Sequence, residues 1–227
     1  IGAPLVFIFF FLFFKFPKIG LFAVLLLSFF IATLGRYVPV QIPFGLGIDI
    51  ILALSYLVLI FKYWRKTDLS PSYNDITLLM LIWMAYVTLQ IVNPLASSFL
   101  AWFYSMRGVA LYQLLWFGLT FTLLNSKKDL YRFLNIWLGL SLLGALWAIK
   151  QKFFGLDSFE QAWLDAGAYE THLLWGNKLR HFSYYFDAGT FGASMGHAML
   201  VAGVLFLGPF SIARKVYYAT LVVLCFY

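Results

Sequence analysis

The densest polar chemistry in the chain lies in one stretch, Gly176-Asn-Lys178-Leu-Arg180-His181-Phe-Ser183-Tyr-Tyr-Phe-Asp187-Ala-Gly189-Thr190-Phe-Gly192. Its last residues lead into an apolar run, and Asp187 or Thr190 can cap the helix that opens there. The first turn of such a helix presents free N–H groups and the positive end of a dipole, a setting that attracts anions. With Lys178 and Arg180 just upstream, it suits a phosphate or diphosphate better than a metal, because cations and N–H donors repel metal ions and attract phosphoryl oxygens. Arg107, in Tyr104-Ser-Met-Arg107-Gly-Val, is a further cation within an apolar run. As a bland residue it snorkels; as a functional one it binds a ligand, since an ionisable group at membrane depth is costly. The expected diphosphate site therefore comprises Arg107, Lys178, Arg180 and Asp187, the last chiefly as a cap, with Arg180 and the potential proton carrier His181 as the catalytic candidates. No carboxylate–histidine cluster with ligand spacing occurs, so neither metal nor cofactor is expected.

These residues must be positioned by helices in a lipid bilayer. Of the 227 residues 63% are hydrophobic, 21% aromatic and only 11% charged, with a mean hydropathy of +0.87, whereas a water-soluble fold of this length needs polar groups over most of its surface. The net charge of +7 does not point to nucleic acid, because the cations punctuate apolar runs rather than crowd one water-facing patch. Cys225, the single cysteine, reads as a small buried hydrophobe. Spans of about 20 helical residues match a bilayer core of about 30 Å. Eight segments follow, near 2–14, 19–35, 44–62, 75–92, 105–124, 131–149, 189–208 and 217–227, the outer two incomplete. They are apolar on every face, unlike the alternating strands of a membrane barrel. The expected fold is an all-α polytopic membrane protein, a single domain over 1–227. It begins at Ile1 and stops at Tyr227 inside an apolar run, as a fragment would.

Lys and Arg near helix ends favour the cytoplasmic side. One set of alternate connectors, including Lys15, Lys18, Arg65, Lys127 and Arg214, carries ten such residues; the other, including Arg36, Arg107 and Arg180, carries six in longer sequence. The first set is assigned to the cytoplasm and the segment 150–188 to the outside, the periplasm of a two-membrane bacterium. That segment is too aromatic to be disordered. Ser158-Phe-Glu-Gln161 has capping-box spacing and Gly167 a stop signal, so an interfacial helix is expected over 159–166, anchored by Phe159, Trp163 and Leu164. Tyr169, Trp175, Tyr184 and Tyr185 suit the headgroup region. His197, after the small residues Gly192, Ala193 and Gly196, is expected to pack and make one interhelical hydrogen bond; Gln90, Asn93, Gln113 and Asn135 are expected to join helices.

The long outer segment and its ending, Arg180-His-Phe-Ser183-Tyr-Tyr-Phe-Asp187-Ala-Gly-Thr-Phe-Gly192, with the span that begins near Arg107, resemble the O-antigen ligase and O-antigen polymerase family. The resemblance implies glycan transfer on the outer leaflet of a bacterial inner membrane, from a polyprenyl-diphosphate-linked glycan to lipid A–core or to another glycan, without nucleotide sugar or metal. It also implies that Arg180 and Arg107 hold the diphosphate leaving group, and that a further basic or catalytic residue lies beyond Tyr227. The rival expectation is a transporter or flippase for a lipid-linked or anionic substrate, which would place polar groups along the bilayer midplane.

Overall fold

The structure is a computed structural model that describes residues 11–38, 44–63, 70–95, 98–174 and 178–226. Its helices are α1 (Lys18–Tyr37), α2 (Phe44–Tyr63), α3 (Asp75–Leu89), α4 (Phe99–Met106), α5 (Tyr112–Leu123), α6 (Lys127–Phe154), α7 (Ser158–Trp163), α8 (Tyr169–His172), α9 (Ala188–Leu207) and α10 (Ile212–Phe226). A two-stranded antiparallel hairpin, β1 (Leu173–Leu174) and β2 (Lys178–Leu179), pairs Leu173 with Leu179. The described chain is all-α apart from that hairpin. Among the described residues five helices are long and apolar enough to cross a membrane: Lys18–Tyr37, Phe44–Phe61, Asp75–Val92, Lys127–Phe154 and Ala188–Leu207.

The three other expected spans fare differently. Residues 105–124 fall in a helical run that a π-helical turn, Arg107–Leu111, divides into α4 and α5. The run near 217–227 belongs to α10, which has 15 residues, and of 2–14 only 11–14 lie among the described residues. The span near 131–149 is a longer helix of 28 residues. Lys150, Gln151 and Lys152 were expected to open the outer segment, yet they extend α6, because straight-chain polar residues are good helix formers once they leave the lipid.

The helix starts obey local capping rules. Asn74 accepts from the Thr77 amide at 3.0 Å to open α3. Ser98 caps α4 and Asp187 caps α9. The capping box of α7 is Asp157 with Glu160, one residue ahead of the expected Ser158–Gln161 pair, since the carboxylate of Asp157 accepts from two first-turn amides. Gly167 does not stop the segment. It adopts φ of 124° within a π-helical turn, Leu164–Ala168, and the chain resumes as α8.

The chain forms two compact units, one comprising Ile1–Val24 and Gly47–Leu130, the other Leu25–Leu46 and Tyr131–Tyr227. In the first, the indoles of Trp83 and Trp102 donate to the carbonyls of Val109 and Val87, at 3.0 and 2.9 Å, and Tyr56 donates to Leu115 at 2.7 Å. Lys18 pairs with Asp129 at 2.6 Å. Helix α3 has no buried residue among those described. In the second unit, Leu138, Ala198, Ala202, Tyr218 and Leu221 form a core in which the two alanines let α9 and α10 approach closely. Cys225 is half-buried against this core.

Candidate functional site

The segment between α6 and α9 in the second unit is ordered by a buried polar network. Arg36, near the end of α1, donates through Nη1 to the Ser183 carbonyl at 2.8 Å and through Nη2 to the Tyr185 carbonyl. Its guanidinium lies 4.4 Å from the ring centres of both Trp163 and Phe182. A delocalised cation between two aromatic faces, with its N–H groups spent on carbonyls, is a stable way to bury an arginine. Gln151 accepts from the Ser183 amide at 2.9 Å and donates to Glu160 at 2.8 Å. Glu160, fully buried, also receives the Trp147 indole at 2.7 Å and Lys150 at 2.9 Å. Lys150 reaches Asp157 at 3.2 Å as well, and the Tyr37 hydroxyl donates to the same carboxylate. These donors hold the Asp157 carboxyl below its usual range although burial opposes it.

The chain turns sharply at Ser183, whose φ of 52° is left-handed. The Ser183 hydroxyl donates to the Gly144 carbonyl at 2.8 Å, and the Tyr184 hydroxyl donates to Leu140. Gly144 lets the Tyr184 ring pack closely, since a methyl group there would stand 3.0 Å from the Tyr184 hydroxyl and 3.2 Å from the ring carbon that carries it, a tight fit. Tyr184 was expected at the headgroups; it is a core residue, while Tyr185 is half-buried and bonded to Ser194 at 2.8 Å. Trp175 lies outside the described residues, as do Gly176 and Asn177.

The predicted cations sit on the hairpin beside this network. The Arg180 amide donates to the His172 carbonyl at 2.8 Å, continuing the β1–β2 pairing. Lys178 and Arg180 are two residues apart on extended chain, so they project to one side, where both are exposed. Neither side chain has a hydrogen-bond or ionic partner among the described residues. His181 alternates to the other side and is half-buried; its Nδ1 has no partner among the described residues. Burial, and secondarily the charge of Lys152, push its pKa below the ordinary value of 6.5.

Asp187 stands at the start of α9, accepting from the Thr190 amide at 2.8 Å and from the Thr190 hydroxyl. Those hydrogen bonds lower its pKa and keep it ionised. Its carboxylate thus occupies donors that the sequence reading offered to a diphosphate. Asp187 is the cap, and its charge disfavours a second anion on the same amides.

Arg107 belongs to the first unit. It sits in the π-helical turn and donates through Nη2 to Asp49 of α2 and to the Tyr112 hydroxyl, the latter at 2.7 Å. Tyr112 in turn donates to the other Asp49 oxygen at 2.5 Å. His197 bonds to Ala193 of its own helix at 2.7 Å and is exposed, so the expected interhelical bond is absent among the described residues. Asn93 likewise bonds Gln90 within one turn, at 2.8 Å.

No family model, curated protein or solved structure matches this chain. What the site can do must come from its geometry. No group of three or more histidine, cysteine or carboxylate residues could hold a metal among the described residues. An open cleft of about 540 Å³ beside the hairpin is lined by Leu156, Leu164, Leu173 and Leu179, with Gln161, Asp165 and Tyr169 as its polar groups. Lys178 and Arg180 do not line it, since alternation turns Leu179 towards the cleft and its neighbours away.

Sequence reasoning missed Arg36, Glu160, Gln151 and Asp49 as organising residues. Arg36 was counted as one outer cation, and its burial depends on Ser183, 147 residues later. Asp49 carried a signal: a carboxylate inside an apolar run needs a partner.

Proposed function

We propose that the protein is a glycosyltransferase of the outer membrane leaflet, which moves a glycan from a polyprenyl-diphosphate carrier to lipid A–core or to another glycan in the bacterial inner membrane. The observation that carries this reading is Arg180, exposed without a side-chain partner among the described residues and held on a hairpin braced by a buried network. An exposed arginine without a partner has its whole donor fork available to an anion, and Lys178 on the same side adds a second charge. As the glycosidic C–O bond breaks, negative charge grows on the diphosphate, and cations already in place stabilise that charge without reorganising.

His181 supports the same chemistry. Its depressed pKa leaves the imidazole neutral near pH 7, the form that accepts a proton from an acceptor hydroxyl. The neighbouring cleft supplies a carboxylate, an amide and a phenol over an aliphatic floor, a lining suited to a sugar with one apolar face and several hydroxyls. A transport path would place charge near the bilayer midplane. The Asp49–Arg107 pair does not favour it, because Asp49 is the sixth residue of α2, about 8 Å from the helix start at 1.5 Å per residue.

The test is glycan profiling by gel in a bacterium lacking its own ligase or polymerase, complemented with intact wild-type protein or Arg180→Ala. Long glycans restored by the first and lost with the second, at equal membrane levels, are the expected result. Arg180→Lys should recover only part, because an ammonium lacks the planar donor fork. Restoration by Arg180→Ala equal to wild type would remove Arg180 from the site.

A further inference from the structure

The Asp49–Arg107–Tyr112 cluster has two features that a plain structural ion pair does not need. First, Arg107 spends only Nη2 on protein acceptors; its Nη1 and Nε donors have none among the described residues. Second, the carboxylate is the more open partner, with the Asp49 side chain 32% exposed against 13% for Arg107. The cation therefore lies behind its counter-ion with donors in reserve. The rings of Phe103, Tyr104 and Tyr112, each between 5.6 and 5.9 Å from the guanidinium carbon, complete its surroundings. The π-helical turn that carries Arg107 is a form of helix found disproportionately at functional sites.

A bare arginine at this depth would face a chemical problem. Phosphodiester headgroups, each with a single negative charge, are present in vast excess over any diphosphate-linked lipid and would occupy it. An internal carboxylate changes the competition. A singly charged phosphate offers Arg107 no more than Asp49 already does, whereas a diphosphate brings more charge and more acceptor oxygens and can take the reserve donors as well.

We propose that Asp49 is an exchangeable counter-ion that reserves Arg107 for diphosphate lipids by rejecting ordinary anionic phospholipids. This rests on the diphosphate chemistry proposed above and concerns the Arg107 cluster within the first unit alone. Asp49 moves aside from Nη2 when a diphosphate binds; no covalent bond changes.

The experiment uses the intact protein in phosphatidylcholine nanodiscs, with farnesyl diphosphate as the probe and phosphatidylglycerol as the singly charged competitor. Wild-type protein should bind farnesyl diphosphate equally well with and without phosphatidylglycerol. Asp49→Asn keeps the shape and the hydrogen-bond acceptor but loses the charge, so phosphatidylglycerol should weaken its farnesyl diphosphate binding by roughly tenfold. Asp49→Glu should restore the rejection, and Arg107→Ala on the Asn background should abolish the competitor effect. Infrared difference spectra of the wild type with carbon-13-labelled aspartate supply a measurement that needs no variant. Farnesyl diphosphate should shift a carboxylate band and phosphatidylglycerol should not.

Equal sensitivity to phosphatidylglycerol in wild type and Asp49→Asn, with both binding farnesyl diphosphate, would overturn the role of Asp49 and leave the diphosphate reading standing. An unmoved carboxylate band on farnesyl diphosphate binding would do the same. Failure of the wild type to bind farnesyl diphosphate in any disc would overturn both.

Discussion

His181 shows how one side chain combines readiness and constraint. Its Nδ1 is enclosed without a partner among the described residues, and burial favours the neutral ring. The sign of the pH effect follows. The folded pKa lies below the ordinary 6.5, so as pH falls through that value the unfolded chain takes up a proton that the fold refuses, and stability drops. Thermal unfolding followed from pH 7.5 to 5 should show the wild type losing stability below about 6.5, while His181→Gln, which has no proton to gain, loses less. Parallel slopes would mean that the ring titrates as freely as in the unfolded chain. Arg180, one residue away, is exposed and unconstrained by partners among the described residues.

Among the elements, the connection between α6 and α9 is tied down by side chains of the helices it joins and of α1. Arg36 satisfies two carbonyls of the turn at Ser183, and Gln151 and Glu160 fix the turn and α7 to the end of α6. Removing Arg36 would leave those carbonyls without donors and empty the space between Trp163 and Phe182. Arg36→Ala should therefore cost on the order of 3 kcal/mol, and Arg36→Lys should recover only part of it. Limited proteolysis across residues 157–187 provides the readout: faster cleavage is expected in both variants, most in the alanine form, and an unchanged cleavage rate would show that the network is dispensable. The sequence announced that this connection was folded, through its aromatic content and its capping spacing, but placed the box one residue late. Ser158 and Asp157 both fit the pattern, and only the arrival of Lys150 and Tyr37 at the Asp157 carboxylate favours the earlier residue.

At the scale of the whole molecule, the asymmetry of lysine and arginine predicts that residues 150–188 face the outer side. Because Cys225 is the single cysteine, Cys225→Ser gives a clean background for labelling with a membrane-impermeant maleimide. Glu170→Cys, at an exposed position of α8, should react in intact spheroplasts, and Lys128→Cys only after the membrane is opened. The opposite pattern would invert the topology and put Arg180 on the wrong side for transfer at the outer leaflet.

Membrane character, helical spans near 19–35, 44–62, 75–92, 131–149 and 189–208, and the polar stretch ending at Asp187 were legible in the sequence alone. Each depends on local composition, because lipid forces every backbone group to be satisfied within its own helix. What engages each arginine was not legible. Arg36, Arg107 and Arg180 look alike as letters among aromatic neighbours, yet Arg36 is sealed by carbonyls 147 and 149 residues away and Arg107 is paired with Asp49, 58 residues distant. Arg180 is exposed and has no side-chain partner among the described residues. A charge is neutralised by whatever packing brings within a few ångströms, and that proximity is a property of the tertiary structure.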